Sequence, residues 1–234
     1  MRQPLSLLAT FAALTALSLA GCGGSSSNSA ASSGDGSSTV DATGAAHHPE
    51  QTPYPHVLFS TTLGDITVKL DHEKAPLTVE NFLHYVEEGF YTDTIFHEVR
   101  SDDVIIGGGY TRDLKEKPAG RQPVRNEAQN GLKNVRGTIA MVREPNVIDS
   151  STSQFFFNVN LADKPNDYLD PQPLKPDQQP GQFPEAYGYC VFGEVVSGLD
   201  VLDQISKLEV SENGGAMPFL PKSMVVITEA KRVK

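Results

Sequence analysis

Phe96-His97-Glu98-Val99-Arg100-Ser101-Asp102-Asp103-Val104-Ile105-Ile106-Gly107 joins two short strands, 94–99 and 104–106, at the centre of a β-rich segment. Upstream, 57–61 and 66–70 read as strands around Leu63-Gly64-Asp65. Residues 78–88 read as a helix: Val79, Phe82, Leu83 and Val86 recur at i, i+3, i+4 and i+7, Pro76 stands before it, and Gly89 is placed to cap its end. Downstream, 137–142, 154–159 and 189–196 are further strands. A second helix is expected over 199–208, with Val201, Leu202, Ile205 and Leu208 on one side and Ser197 as its cap. Residues 224–230 form a closing strand. Many short strands with two well-separated helices point to a closed antiparallel barrel whose ends need covering.

This domain spans 57–234, and what precedes it has a different composition. Arg2 is followed by an uncharged, Leu- and Ala-rich run over 5–20, short for a membrane span and suited to a signal peptide. Leu19-Ala20-Gly21-Cys22 resembles the bacterial lipobox, so 1–21 is expected to be removed and Cys22 lipidated. Gly23, where an Asp would favour inner-membrane retention, points to the outer membrane of a two-membrane cell. Residues 22–56 form a Ser/Gly-rich tether with almost no large apolar side chain. A flexible chain of ~34 residues spans roughly 30 Å. The expected location is the cell envelope, lipid-anchored and facing the periplasm.

Charge and cysteine count remove other classes. With 29 acidic against 19 basic side chains, the chain lacks the cationic excess that nucleic-acid binding requires. Cys22 and Cys190 cannot make a disulfide scaffold or a Cys-based zinc site, and a lone Cys190 is expected to be a buried small hydrophobe. No G-x-S-x-G, H-E-x-x-H or phosphate loop occurs; Gly107-Gly108-Gly109 is expected to serve close backbone approach. No metal or cofactor is implied.

Gly89-Phe90-Tyr91, Phe96-His97, Gly107-Gly108-Gly109-Tyr110, Asn126-Glu127, Gly137-Thr138-Ile139-Ala140-Met141, Ser153-Gln154-Phe155-Phe156, Tyr168-Leu169-Asp170 and Val191-Phe192-Gly193 follow the order and nearly the spacing of a cyclophilin. The resemblance is closest to the bacterial periplasmic type and covers 57–234. It implies a mainly β fold, an eight-stranded antiparallel barrel capped by two α-helices, and a groove that binds proline-containing segments and isomerises X-Pro bonds. The implied partners are exported proteins, with the domain acting as a monomer.

Rotation about X-Pro faces a barrier of ~18–20 kcal/mol. No covalent step is needed, only tighter binding of the twisted amide than of either planar form. An apolar pocket holds the ring while a donor meets the prolyl nitrogen. The resemblance places that donor, an Arg, directly after Phe-His, where this chain has Glu98. An ionised carboxylate only accepts. Asp103 and Val104 replace a pocket Phe and Met, and Ile106 replaces the Gln that orients the Arg. Phe96, Met141, Gln154, Phe156 and Leu169 match the pattern of the substrate-binding wall, with Tyr168 in place of a Trp and Tyr189 in place of a His. Phe155 and Phe157 are expected in the core, and Phe156 in the pocket. His97 comes with the motif, and a structural role is the plainer expectation for it.

Arg100, two residues from Glu98 on the same strand face, is the candidate substitute donor, with Glu98 steadying it. The plainer expectation is an exposed Glu98–Arg100 pair of little worth. Arg143 is placed to line a neighbouring pocket. Three functions therefore stand: an isomerase with a relocated donor, a non-catalytic peptide- or protein-binding module, or a structural lipoprotein whose groove is vestigial. Pro165, Pro171, Pro173, Pro176, Pro180 and Pro184 punctuate a long loop beside Tyr168, expected to be a solvated surface loop.

Overall fold

The computed structural model describes residues 53–161, 166–177, 179, 182–211 and 217–234. The leader, Cys22 and all but the last residues of the tether lie outside these, as do Pro165 and Pro180.

Eight strands close into an antiparallel barrel: β1 (His56–Thr61), β2 (Gly64–Leu70), β3 (Thr94–Val99), β4 (Val104–Thr111), β5 (Thr138–Met141), β6 (Phe155–Asn158), β7 (Val191–Ser197) and β8 (Val226–Val233). Their order around the barrel is β1-β2-β7-β5-β6-β4-β3-β8. The expected fold class holds. β1 and β2 pair from His56↔Lys69 to Thr61↔Gly64, so the turn is Thr62-Leu63, and Gly64 and Asp65 already belong to β2. The closing strand begins at Val226 and runs three residues further than expected.

Strand alternation sorts the side chains. Val57, Phe59, Ile66, Val68, Leu70, Ile105, Ile139, Phe155, Phe157 and Phe192 share one buried core. Its centre is a set of touching rings. Phe155 lies 5.3 Å from Phe59 and from Tyr91, and 5.6 Å from Phe157. Offset and edge-on rings of this kind add to the burial term.

α1 (Pro76–Glu87) and α2 (Leu199–Ser206) complete that core. α1 contributes Val79, Phe82, Leu83 and Val86, as the 3.6-residue spacing requires. Pro76 occupies the first turn, where a missing N–H costs nothing. The free amides behind it are capped from a distant loop. The Glu127 carboxylate accepts from Leu77 N at 3.2 Å, Thr78 N at 2.8 Å and Thr78 Oγ1 at 2.8 Å. A carboxylate there also suits the positive end of the helix. α2 buries Val201, Leu202 and Ile205, while Leu208 packs on the core from just beyond the helix. Its cap is Gly198, not Ser197. Residue 198 has φ 87°, and a Cβ there would overlap the Asp65 carbonyl oxygen, so only glycine fits.

Candidate active site

The outward faces of β4, β6, β5 and β7 form a second, separate apolar cluster. Its buried members are Val104, Ile106, Ala140, Phe156, Leu169, Tyr189 and Val191, with Leu132 and Val142 against them. One row of paired residues crosses five strands: Glu98↔Ile106↔Phe156↔Ala140↔Val191. Neighbours in such a row share a face of the sheet. Glu98 therefore stands at the end of an otherwise apolar row.

Two loops deliver the remaining wall. Leu169 comes from a 3-10 turn, Asp167–Leu169, and Tyr189 from the segment before β7. The Tyr189 ring meets Phe156 edge-on at 5.7 Å. Buried asparagines hold these loops in place. Asn134 Nδ2 donates to the carbonyls of Leu169 at 3.2 Å and Tyr189 at 3.3 Å. Asn158 Nδ2 donates to Asn134 Oδ1, and Asn166 Nδ2 to Asn158 Oδ1. The Tyr189 amide donates to Leu169 O at 2.8 Å. These linked amides join the two loops to β6, while Asn166 Oδ1 is buried without a partner among the described residues.

The Glu98–Arg100 pair is not exposed, which corrects the plainer expectation. Glu98 is 7% exposed, and its Oε1 accepts from Arg100 Nε at 2.5 Å. The Arg100 guanidinium lies 5.0 Å over the Phe219 ring. Burial pushes the Glu98 carboxyl above its usual range, and the Arg100 charge opposes that shift. Arg100 Nη1 and Nη2 make no hydrogen bond among the described residues. The Arg100 charge also bears on Tyr189: it and Arg143 both favour the phenolate, against the larger effect of burial.

At the rim, the Tyr168 hydroxyl donates to Asp103 Oδ1 at 2.6 Å. The two residues that depart from the expected Trp and Phe thus meet each other. The Asp103 backbone carbonyl accepts from Val159 N at 2.9 Å and Asn166 Nδ2 at 3.1 Å, which ties the β3–β4 turn to the same loop.

Two expected wall residues are elsewhere. Phe96 is fully buried in the main core, 6.1 Å from Phe157, and Met141 is in that core as the partner of Phe155. For Phe96 the cause is a register shift between Phe96 and Glu98, which sends Phe96 inward and Glu98 outward. Met141 is inward by alternation with outward Ala140. His97 sits at that irregularity with its ring 4.7 Å from Tyr110, away from the outer cluster. Burial lowers its pKa to about 4, against a backbone hydrogen bond to Ile95 that favours the charged ring, so His97 is neutral at pH 7. Gln154 is half-buried and lies against Gly109, where a Cβ would come within 2.5 Å of its Cδ. Cys190 is buried beside Thr78 Oγ1 at 3.4 Å, with its thiol pushed up to about 12, the inert state expected of it.

A family model, cyclophilin type peptidyl-prolyl cis-trans isomerase/CLD, matches residues 56–232. The chain belongs to the cyclophilin-type peptidyl-prolyl isomerases. It is 46% identical over 183 residues to peptidyl-prolyl cis-trans isomerase A of Dickeya dadantii, covering 78% of this chain and 87% of that protein. It is 44% identical over 171 residues to peptidyl-prolyl cis-trans isomerase B of Escherichia coli, covering 73% and 95%. A crystal structure of a cyclophilin-type isomerase from Cryptosporidium parvum superposes with a TM-score of 0.57 at 20% identity, over 77% of this chain and 98% of that one. That last likeness concerns the fold alone.

In this cyclophilin the reading by motif missed part of the wall. Ala140, Val142, Val191 and Leu132 complete the outer cluster, and the Asn134–Asn158–Asn166 network positions it. Ala140 and Val191 could have been found by carrying the outward face of Phe156 across the paired strands. The asparagines give no periodic signal and look like ordinary loop residues.

Proposed function

We propose that this cyclophilin isomerises X-Pro bonds in exported proteins, with Arg100 as the donor to the prolyl nitrogen and Glu98 as the residue that holds it. The observation that carries this reading is the pair of buried Glu98 and partly exposed Arg100 at the end of the apolar row, with Nη1 and Nη2 of Arg100 making no hydrogen bond among the described residues. Phe156, Val104, Leu169 and Tyr189 receive the proline ring. Gln154, Ile106, Asp103 and Tyr168 border it. Glu98 takes the orienting part that a Gln plays at position 106 in the family, so the apolar Ile106 leaves no polar group unpartnered. His97 has a structural part. The lipobox at Cys22 supports attachment to the periplasmic face of the outer membrane, with the tether giving the domain reach as a monomer.

The donor's two carboxylate neighbours, Glu98 and Asp103, also favour a second reading, peptide binding without turnover. Exchange NMR on a short proline peptide separates the two without a coupling protease. Turnover by the purified chain supports the first reading. Binding without exchange, restored by Glu98→Arg, supports the second. Loss of membrane association in Cys22→Ala tests the anchor, and retention of it would remove that part of the proposal.

A further inference from the structure

Arg143 carries a buried charge that the account above does not use. It is 2% exposed and has no carboxylate within ion-pair distance among the described residues. All its hydrogen bonds go to backbone carbonyls. Nε donates to Gly188 O at 2.8 Å, Nη1 to Glu144 O at 3.0 Å and Pro145 O at 2.9 Å, and Nη2 to Pro184 O at 2.7 Å. Its guanidinium carbon Cζ lies over the Tyr189 ring, 4.9 Å from the centroid.

A charge held this way is costly, since carbonyl dipoles replace water without a full counter-charge. Burial accordingly lowers the Arg143 pKa, with Tyr189 and the more distant Glu185 opposing the shift. The four donations hold two loops and need the donor count of a guanidinium, which an amide or hydroxyl lacks, and the same group sets its cation over the Tyr189 ring. Gly188, which takes the Nε bond, directly precedes Tyr189, and its carbonyl also accepts from Asn126 Nδ2 at 3.1 Å. The peptide group that leads into Tyr189 and the Tyr189 ring are therefore both met by one guanidinium, and that ring also meets Phe156.

We propose that Arg143 is a positioning residue that sets the Tyr189 ring as a wall of the proline pocket, and so governs peptide binding and not the rotation step. This rests on the reading of the outer cluster as the proline site. Peptide binding and turnover by the wild type are measured first; absence of both counts against that reading alone, and where binding occurs without turnover the dissociation constant is read in place of KM. Given turnover, Arg143→Met raises KM about tenfold, the loss expected for a desolvated cation–π contact, with kcat nearly unchanged. Because that variant removes four hydrogen bonds, leaving the Pro145 and Pro184 carbonyls without a donor among the described residues, and can unfold the chain, Arg143→Lys carries the same test. It keeps the charge, loses the planar stack, and gives a smaller KM increase. In a Tyr189→Leu background, Arg143→Lys adds almost nothing to KM. An unchanged KM in a folded Arg143 variant, an equal fall in kcat, or full multiplication of the two effects in the double variant would overturn the proposal.

Discussion

Along β6, Phe155 and Phe157 enter the barrel and meet Phe59, Tyr91 and Phe96, whereas Phe156 leaves it and meets Tyr189. The inner face is dominated by buried apolar side chains, with the Tyr85 and Tyr91 hydroxyls among them. The outer face ends in Glu98, is rimmed by Asp103 and Tyr168, and is backed by Arg143. Close packing leaves the inner face few acceptable side chains. Under the proposed function, the outer face need only stay apolar where a ring binds and present one donor, which sets a looser demand on its polar members than packing sets on the inner face.

Substitutions on the two faces should therefore fail differently. Phe155→Ala should cost about 3–5 kcal/mol of stability by denaturant unfolding. Phe156→Ala should cost less, because it opens onto the groove, and should weaken proline-peptide binding. Equal losses of stability would erase the distinction between the faces.

The next largest effect is on acid stability. His97 has an ordinary value of 6.5, lowered to about 4 in the folded chain, so the unfolded chain binds the proton first. Stability should fall as pH drops from about 6.5 towards 4. Glu98 pulls the other way, since its raised carboxyl favours the folded state at low pH. His97→Phe, which keeps a ring on Tyr110, should flatten the acid-side fall between pH 7 and 5, with turnover retained. An unchanged slope would refute the His97 assignment, and lost turnover would give His97 a catalytic part.

Glu127→Ala should cost about 1–2 kcal/mol by uncapping α1, with the outer face unaffected. Gly109→Ala should do the least to stability, because a flexible Gln154 can move aside, and should weaken peptide binding slightly in a titration. A large loss of stability there would mean that Gln154 belongs to the packing of the inner face.

The sequence made much of the fold legible because burial imposes period. The faces of α1, the inward Phe155 and Phe157 and the outward Phe156 all follow from alternation or helical spacing. What alternation could not give was the break between Phe96 and Glu98, since an irregular register reverses faces without changing composition. Ser197 was a sound cap by residue type, but the approach of Asp65 required glycine one place later. The motif named Phe156, Leu169 and Tyr189, which the structure brings into one outer cluster. It gave no hint that Tyr168 would bond Asp103 or that Glu98 would be buried. Those facts depend on which loops meet, and no local pattern records that.

The most direct test of a relocated donor is exchange NMR of a proline peptide with wild type and Arg100→Met, measuring turnover and peptide affinity in the same titration. The account predicts a fall in turnover of about 10²–10³-fold, as for loss of one transition-state donor, with affinity nearly unchanged. Wild-type turnover that survives Arg100→Met would contradict it and place the donor elsewhere in the groove.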